Sequence, residues 1–230
     1  MADRRERLNR ILKENPFAHL GDAVYDILYR SVIHLEIPAD ALLSETALAK
    51  ELDVSRTPVR DALLRLQDEG LLVRGKGQSF SVAPLRREEC RHLMEVRLAV
   101  EGQAAFLAAE RISPPQEKKL AALQERYESA CAAWDTDAMV ESDHAFHQMI
   151  VDAACNPYLA DVYRQISPRV LHYRYFLFSR MERESVGQTM EGSVRHHRSV
   201  CNAIRLGFGS LAREQLERDI SGMADIAGTW

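Results

Sequence analysis

The chain has 230 residues, 46% of them hydrophobic and 28% charged, with a net charge of −4. It is long enough for two modest cores, too apolar for disorder, and lacks the global positive field of a protein that grips nucleic acid over its whole surface. No apolar run approaches the roughly 20 residues that span a bilayer, and the charged start MADRRERLNR has no signal-peptide core, so a cytoplasmic protein without a membrane partner is expected.

Residues 1–16 are read as a flexible, charged arm. From Leu20 to Leu35 the apolar residues Val24, Ile27, Leu28, Val32 and Ile33 recur at helical spacing. Pro38 breaks that pattern, and Ser44 is placed to cap a short helix, ETALAKEL. Asp53 and Val54 form a tight turn. Ser55 then caps a longer helix, RTPVRDALLRLQDE, with Pro58 in the first turn, where a missing N–H costs little, and Gly70 just past the end. The period changes in LLVRGKGQSFSV, where two short strands, 71–74 and 79–82, flank Gly75-Lys76-Gly77 as a hairpin. Ala83-Pro84 closes it. Helix, short helix, turn, helix and hairpin, in that order, describe a winged helix-turn-helix over residues 17–84.

Beyond residue 85 six helical stretches follow, near 86–111, 114–133, 135–154, 157–180, 188–207 and 209–226, broken at Pro114-Pro115, Pro157 and Gly207-Phe208-Gly209. The expected fold is therefore mostly α, with the N-terminal winged helix-turn-helix followed by an antiparallel bundle of six or seven helices over residues 85–230. Cys90, Cys131, Cys155 and Cys201 are far apart with no CxxC pair, which fits reduced thiols rather than a disulfide framework.

In a winged helix-turn-helix the N-terminal end of the second helix enters the major groove. Here Arg56 and Arg60, spaced i,i+4, share a face with Thr57, while Val59, Ala62, Leu63 and Leu66 form the opposite stripe. Guanidinium forks grip guanine edges or phosphates, and Arg74 and Lys76 flank the small glycines of the hairpin. The plain alternative is a solvated arginine face. Against it, Asp61, Asp68 and Glu69 are set toward the middle and end of the same helix, away from the arginines.

The stretch LSETALAKELDVSRTPVRDALLRLQDEGLLVRGKGQSFSV resembles the DNA-binding module of GntR-type bacterial transcription regulators, from about Val24 to Pro84. The resemblance implies operator contacts by Arg56, Thr57, Arg60 and the wing glycine Gly77, with Lys76 beside it. It departs at Thr46, where many members carry an arginine.

Within the third helical stretch of the second half, 135–154, Met139, Phe146, Ile150 and Ala153 make an apolar stripe, and Asp143 and His147 lie on or beside it, one turn apart. A buried carboxylate needs a counter-charge, a donor network or a metal. His197 shares a face with Val200, Cys201 and Ile204, and Asp219 adjoins Leu216, Ile220 and Met223, so four ligand-type residues on three helices are able to meet at one cation or in a metal-free, hydrogen-bonded cluster. His144, on the polar side with Glu141 and Gln148, is expected at the surface, and His196 is a bystander.

The segments VRLAVEGQAAFLAA, DHAFHQMIVDAACNPYL and HRSVCNAIRLGFGSLAREQLERDI resemble the ligand-sensing FCD domain of FadR-like members of that family. Many such domains hold a divalent metal through one aspartate and three histidines. Asp143, His147 and His197 match three of those positions, and the fourth falls on Asp219. The resemblance implies a cation, Zn²⁺ as the working choice with Mn, Fe or Ni also suited to two histidines and two carboxylates, and open positions for an effector's carboxylate. Arg97, which with Glu101 reads from spacing as a helix-surface ion pair, matches an effector-pocket arginine; Arg174 of HYRYF is a second pocket residue.

The expected function is a ligand-responsive, homodimeric transcription regulator, a repressor rather than an enzyme, with operator DNA and a small carboxylate metabolite as partners. The rival is a metal-dependent helical-bundle enzyme, because Glu-x-x-His occurs at Glu89/His92 and Glu141/His144. Its Glu141 and His144 read as polar-face residues, however, and no phosphate loop or nucleophile motif is present.

Overall fold

The computed structural model describes residues 3–15, 17–75, 79–180 and 183–227, with backbone alone at 183–186 and 223–227. The chain divides into two units, Met1–Leu85 and Arg86–Trp230.

The first unit begins with a helix, α1 (Arg4–Glu14), where a flexible arm was expected. The reason is that the charges of this segment have partners. Arg4 binds Ser31 and Glu51 (2.9 and 2.5 Å), Arg7 binds Glu36 through both terminal nitrogens (2.8 and 2.5 Å), Arg5 pairs with Asp53, and Leu8 is buried. The network ties α1 to the helices α2 (Leu20–Ile33) and α3 (Glu45–Leu52) and to the turn that follows α3. Ser44 caps α3 by accepting from Ala47 N–H (3.3 Å), and Asp53 takes the left-handed conformation (φ 58°) that turns the chain into α4 (Arg56–Asp68). Ser55 stands at the N-cap position of α4 without making the side-chain bond. Gly70 (φ 72°) ends α4 in a Schellman turn, Gly70 N–H to Gln67 C=O and Leu71 N–H to Leu66 C=O (both 2.9 Å).

Three short strands complete this unit. β1 (Leu42–Leu43), β2 (Leu72–Arg74) and β3 (Phe80–Val82) form an antiparallel sheet in the order β1-β3-β2. Leu72 faces Val82 and Leu43 faces Phe80. β1 is not apparent in the sequence, since two residues are too few to show a period. Val24, Val32, Val59, Leu63, Leu66, Leu71 and Val82 are all fully buried, so the α4 stripe read from spacing is the core-facing one.

Among the described residues the second unit is six helices: α5 (Arg87–Arg111), α6 (Pro114–Ala133), α7 (Thr136–Ala153), α8 (Pro157–Arg180), α9 (Arg183–Arg205) and α10 (Gly209–Ala227). Local chemistry sets their ends. A capping box of Ser113 and Gln116 with Pro114 starts α6, the Asp135 carboxylate accepts from Ala138 N–H (3.0 Å) at α7, and the Asn156 amide oxygen accepts from Tyr158 N–H (3.1 Å) at α8. α5 packs against α7, α8, α9 and α10, and so runs through the interior of the bundle. All four cysteines are free thiols. None of the described helices is long and apolar enough to cross a membrane.

Candidate metal centre and DNA-facing surface

Asp143 and His147 on α7, His197 on α9 and Asp219 on α10 converge, with one ligand atom from each lying within 4.8 Å of every other. His147 Nε2 is 3.2 Å from Asp219 Oδ2 and 3.7 Å from Asp143 Oδ1, while His197 Nε2 is 3.4 Å from Asp143 Oδ1 and 3.5 Å from Asp219 Oδ2. Metal–ligand bonds of about 2.0–2.2 Å in a tetrahedron require edges of about 3.3–3.6 Å. Three of the four residues have their far atom engaged. Asp143 Oδ2 meets the Arg174 guanidinium, Asp219 Oδ1 accepts from Ser193 Oγ (2.6 Å), and His147 Nδ1 contacts Glu101 Oε2 (2.5 Å). The His197 ring lies stacked on Phe146, centroids 3.9 Å apart, with Tyr127 on another side at 4.7 Å.

The donor set fits a cation. With Nδ1 turned to Glu101, His147 directs Nε2 at two carboxylate oxygens. That Nε2 is buried and has no hydrogen bond of acceptable geometry among the described residues. Carboxylate oxygens at 3.2 and 3.7 Å from that nitrogen call for positive charge between them, carried by the ring or by a bound cation.

The charges around the centre are strongly perturbed. Burial works against the charged form of His197, but Asp219 and Asp143 outweigh it and raise the imidazole to about 9. Burial likewise opposes ionisation of Asp143, yet Arg174, His147 and His197 hold its carboxyl well below the usual range, as His197 and His147 do for Asp219. Glu101 is held at about 2, because Arg97 and His147 outweigh its burial.

Three expectations about neighbouring residues are corrected. Arg97 and Glu101 are not a surface pair. Their side chains are 1% and 0% exposed, and Arg97 Nε and Nη2 donate to Glu101 (2.7 and 3.3 Å) because α5 is an interior helix. His144 is not a surface residue either, since α8 covers that side of α7. Its Nε2 is 3.3 Å from Ser167 Oγ, and burial pushes it down to about 4. His196 is closer to the site than a bystander: with Arg97, Arg174, Ser193, Arg218 and Asp219 it lines a cavity of about 290 Å³ that reaches the centre. His172 of HYRYF is wholly buried on α8, with neither ring nitrogen hydrogen-bonded among the described residues.

In the first unit Arg56, Thr57 and Arg60 are exposed on the first turns of α4, opposite its buried stripe. Arg56 Nη2 is held 3.0 Å from Glu45 Oε2, a carboxylate in the first turn of α3. Arg74 on β2 donates to Gln67 Oε1 (3.3 Å) and is exposed. Lys76 and Gly77, the expected wing contacts, lie outside the described residues.

Two family models match the chain: "FCD domain" over residues 92–222 and "Bacterial regulatory proteins, gntR family" over residues 20–82. The chain is similar to the HTH-type transcriptional regulator LutR of Bacillus subtilis, 30% identical over 210 residues that cover 82% of this chain and 92% of that one. It is similar also to the HTH-type transcriptional repressor RspR of Escherichia coli, 24% identical over 211 residues covering 92% and 90%. Among solved structures, E. coli McbR/YncC has the same fold, with a TM-score of 0.77 at 22% identity, covering 92% of this chain and 98% of that one.

Proposed function

The chain belongs to the GntR family of bacterial regulatory proteins and carries an FCD domain, and from that premise we propose that it is a homodimeric repressor whose hold on its operator is set by a small carboxylate sensed beside a divalent cation. It is a DNA-binding transcription regulator and not an enzyme.

Asp143, His147, His197 and Asp219 would hold the cation, Zn²⁺ in this reading, which supplies a Lewis-acidic point for a carboxylate oxygen. The observation that carries the reading is the buried His147 Nε2, without a hydrogen bond among the described residues, facing two aspartates. The adjoining cavity of about 290 Å³ has the size of a small organic acid, and Arg174 and Arg218 offer it guanidinium donors. Arg97 lines the same cavity but spends Nε and Nη2 on Glu101, whereas Arg174 meets Asp143 through Nη1 and keeps an Nε without a hydrogen bond among the described residues, so Arg174 becomes the leading effector contact. On DNA, Arg56, Thr57 and Arg60 would read and clasp the major groove, with the wing residues Lys76 and Gly77 at the backbone. A two-fold dimer matches a palindromic operator. Repression is favoured by the likeness to the transcriptional repressor RspR.

Elemental analysis of the purified wild type beside His147→Ala and His197→Ala tests the metal. Stoichiometric metal lost in both variants is expected; a metal-free wild type removes the cation from the reading. Mobility shifts on the gene's own upstream DNA, with a reporter placed behind it, test repression.

A further inference from the structure

We infer that Glu101, held by Arg97, is the positioning residue that fixes His147 as a metal ligand by fixing which ring nitrogen carries its proton. The inference rests on the metal reading above and goes beyond it, because Glu101 is not a ligand and stands on a helix that supplies none.

The three groups form a chain across two helices. Arg97 Nε donates to Glu101 Oε1 (2.7 Å), its Nη2 to Glu101 Oε2 (3.3 Å), and Glu101 Oε2 meets His147 Nδ1 at 2.5 Å. All three residues are at 0% exposure, so no water competes for these atoms. An ionised carboxylate only accepts hydrogen bonds. Whenever the imidazole carries a single proton, that proton therefore sits on Nδ1, which leaves the lone pair to Nε2, the nitrogen 3.2 Å from Asp219 and 3.7 Å from Asp143. A metal-binding histidine needs this arrangement, and a carboxylate behind it also raises its basicity. Arg97 has a separate task. Alone, Glu101 would be an unpaired buried anion, costly to the fold; with the guanidinium clamped on both oxygens, it is compensated whether or not a cation is present.

The other histidine has no such backing. His197 Nδ1 is buried without a hydrogen-bond partner among the described residues, and the ring is held by Phe146 and Tyr127 instead. One ligand is oriented by charge and the other by stacking, which makes the Glu101 contribution separable by mutation.

The test compares wild type, Glu101→Gln and the double variant Arg97→Gln/Glu101→Gln. The double variant removes both charges of the buried pair and so leaves neither uncompensated. Zn²⁺ affinity is measured by competition with a chromophoric chelator, the Co²⁺-loaded visible spectrum is recorded, and nitrogen NMR of the metal-free protein, followed upward in pH until the ring is neutral, reads the His147 tautomer, assigned by His147→Ala. The expected result is affinity lower by about 10–100-fold in both variants, an altered Co²⁺ spectrum, and a shift from an Nδ1–H ring to a mixture of tautomers. Folded variants with unchanged affinity, spectrum and tautomer overturn the inference. A wild type that binds neither metal defeats the metal reading instead. The tautomer of the metal-free protein still decides the role of Glu101 in that case: an Nε2–H ring in wild type overturns it.

Discussion

Arg174 on α8 and Asp143 on α7 form an ion pair whose side chains are 3% and 7% exposed, so a guanidinium lies directly behind a candidate metal ligand. The pair divides the work at Asp143 between its two oxygens, Oδ2 toward Arg174 and Oδ1 toward the histidines. Replacing Arg174 with Met strands a buried carboxylate, and breaking such a pair costs about 3–5 kcal/mol. Urea unfolding of metal-free Arg174→Met is expected to show that loss. Zn²⁺ should recover much of it, because a cation replaces the missing counter-charge. Equal losses with and without Zn²⁺ would mean that no cation reaches Asp143.

For the DNA surface, Arg56→Ala and Arg60→Ala are each expected to weaken operator binding. An arginine that reads a base costs about 1–3 kcal/mol of discrimination and relaxes sequence preference at one position. An arginine that neutralises a phosphate lowers the salt slope of binding by about 1. Binding isotherms on operator and scrambled DNA at several salt concentrations separate the two roles. Binding unchanged in both variants would sink the assignment of this helix end.

The stability of the metal-free protein should peak near pH 6.5. His197, raised to about 9, contributes in full below the ordinary histidine value near 6.5 and loses that contribution as pH rises through about 9. His144 and His172 are pushed the other way by burial, to about 4 and about 3, so the unfolded chain takes up their protons first and stability falls as pH drops below 6.5. Each group changes stability by roughly 1.4 kcal/mol per pH unit between its two values. Saturating Zn²⁺ binds neutral His197 and is expected to move the maximum upward. Denaturation curves from pH 4 to 9, with Zn²⁺ or with chelator, check both the peak and its shift.

Gly209 begins α10 against α5, and a methyl there would sit 2.9 Å from the Phe106 carbonyl oxygen. Gly209→Ala is expected to push α10 off α5 at a cost of about 1–3 kcal/mol. Because Asp219 rides on α10, Zn²⁺ affinity should fall as well. Gly21→Ala is the control, since its methyl meets nothing within 4 Å. Thermal melts and chelator competition on the two variants distinguish a local clash from a generic effect of losing glycine.

The ligand-type cluster was legible because helical phase alone places Asp143 and His147 beside Phe146 and Ile150, and does the same for His197 and Asp219 on their own helices. Its supporting groups were not. Arg97 and Glu101 carry the i,i+4 spacing of a solvated pair, and only the packing of α5 against four other helices reveals that its polar pair is interior. His144 misled for the related reason that α7 is covered on two sides, so its polar face is not its wet face. The α1 helix was hidden by its charge: arginines near a chain end read as a solvated arm until Glu36, Glu51 and Asp53 are seen opposite them.

That last arrangement bears on how the DNA-reading unit is to be delimited. Trimmed at residue 20, where the recognisable family pattern starts, the unit would lose the buried Leu8 and leave Glu36, Glu51 and Asp53 crowded around the helix-turn-helix with their cationic partners gone. The helix Arg4–Glu14 thus serves as a built-in electrostatic splint for the turn between α3 and α4.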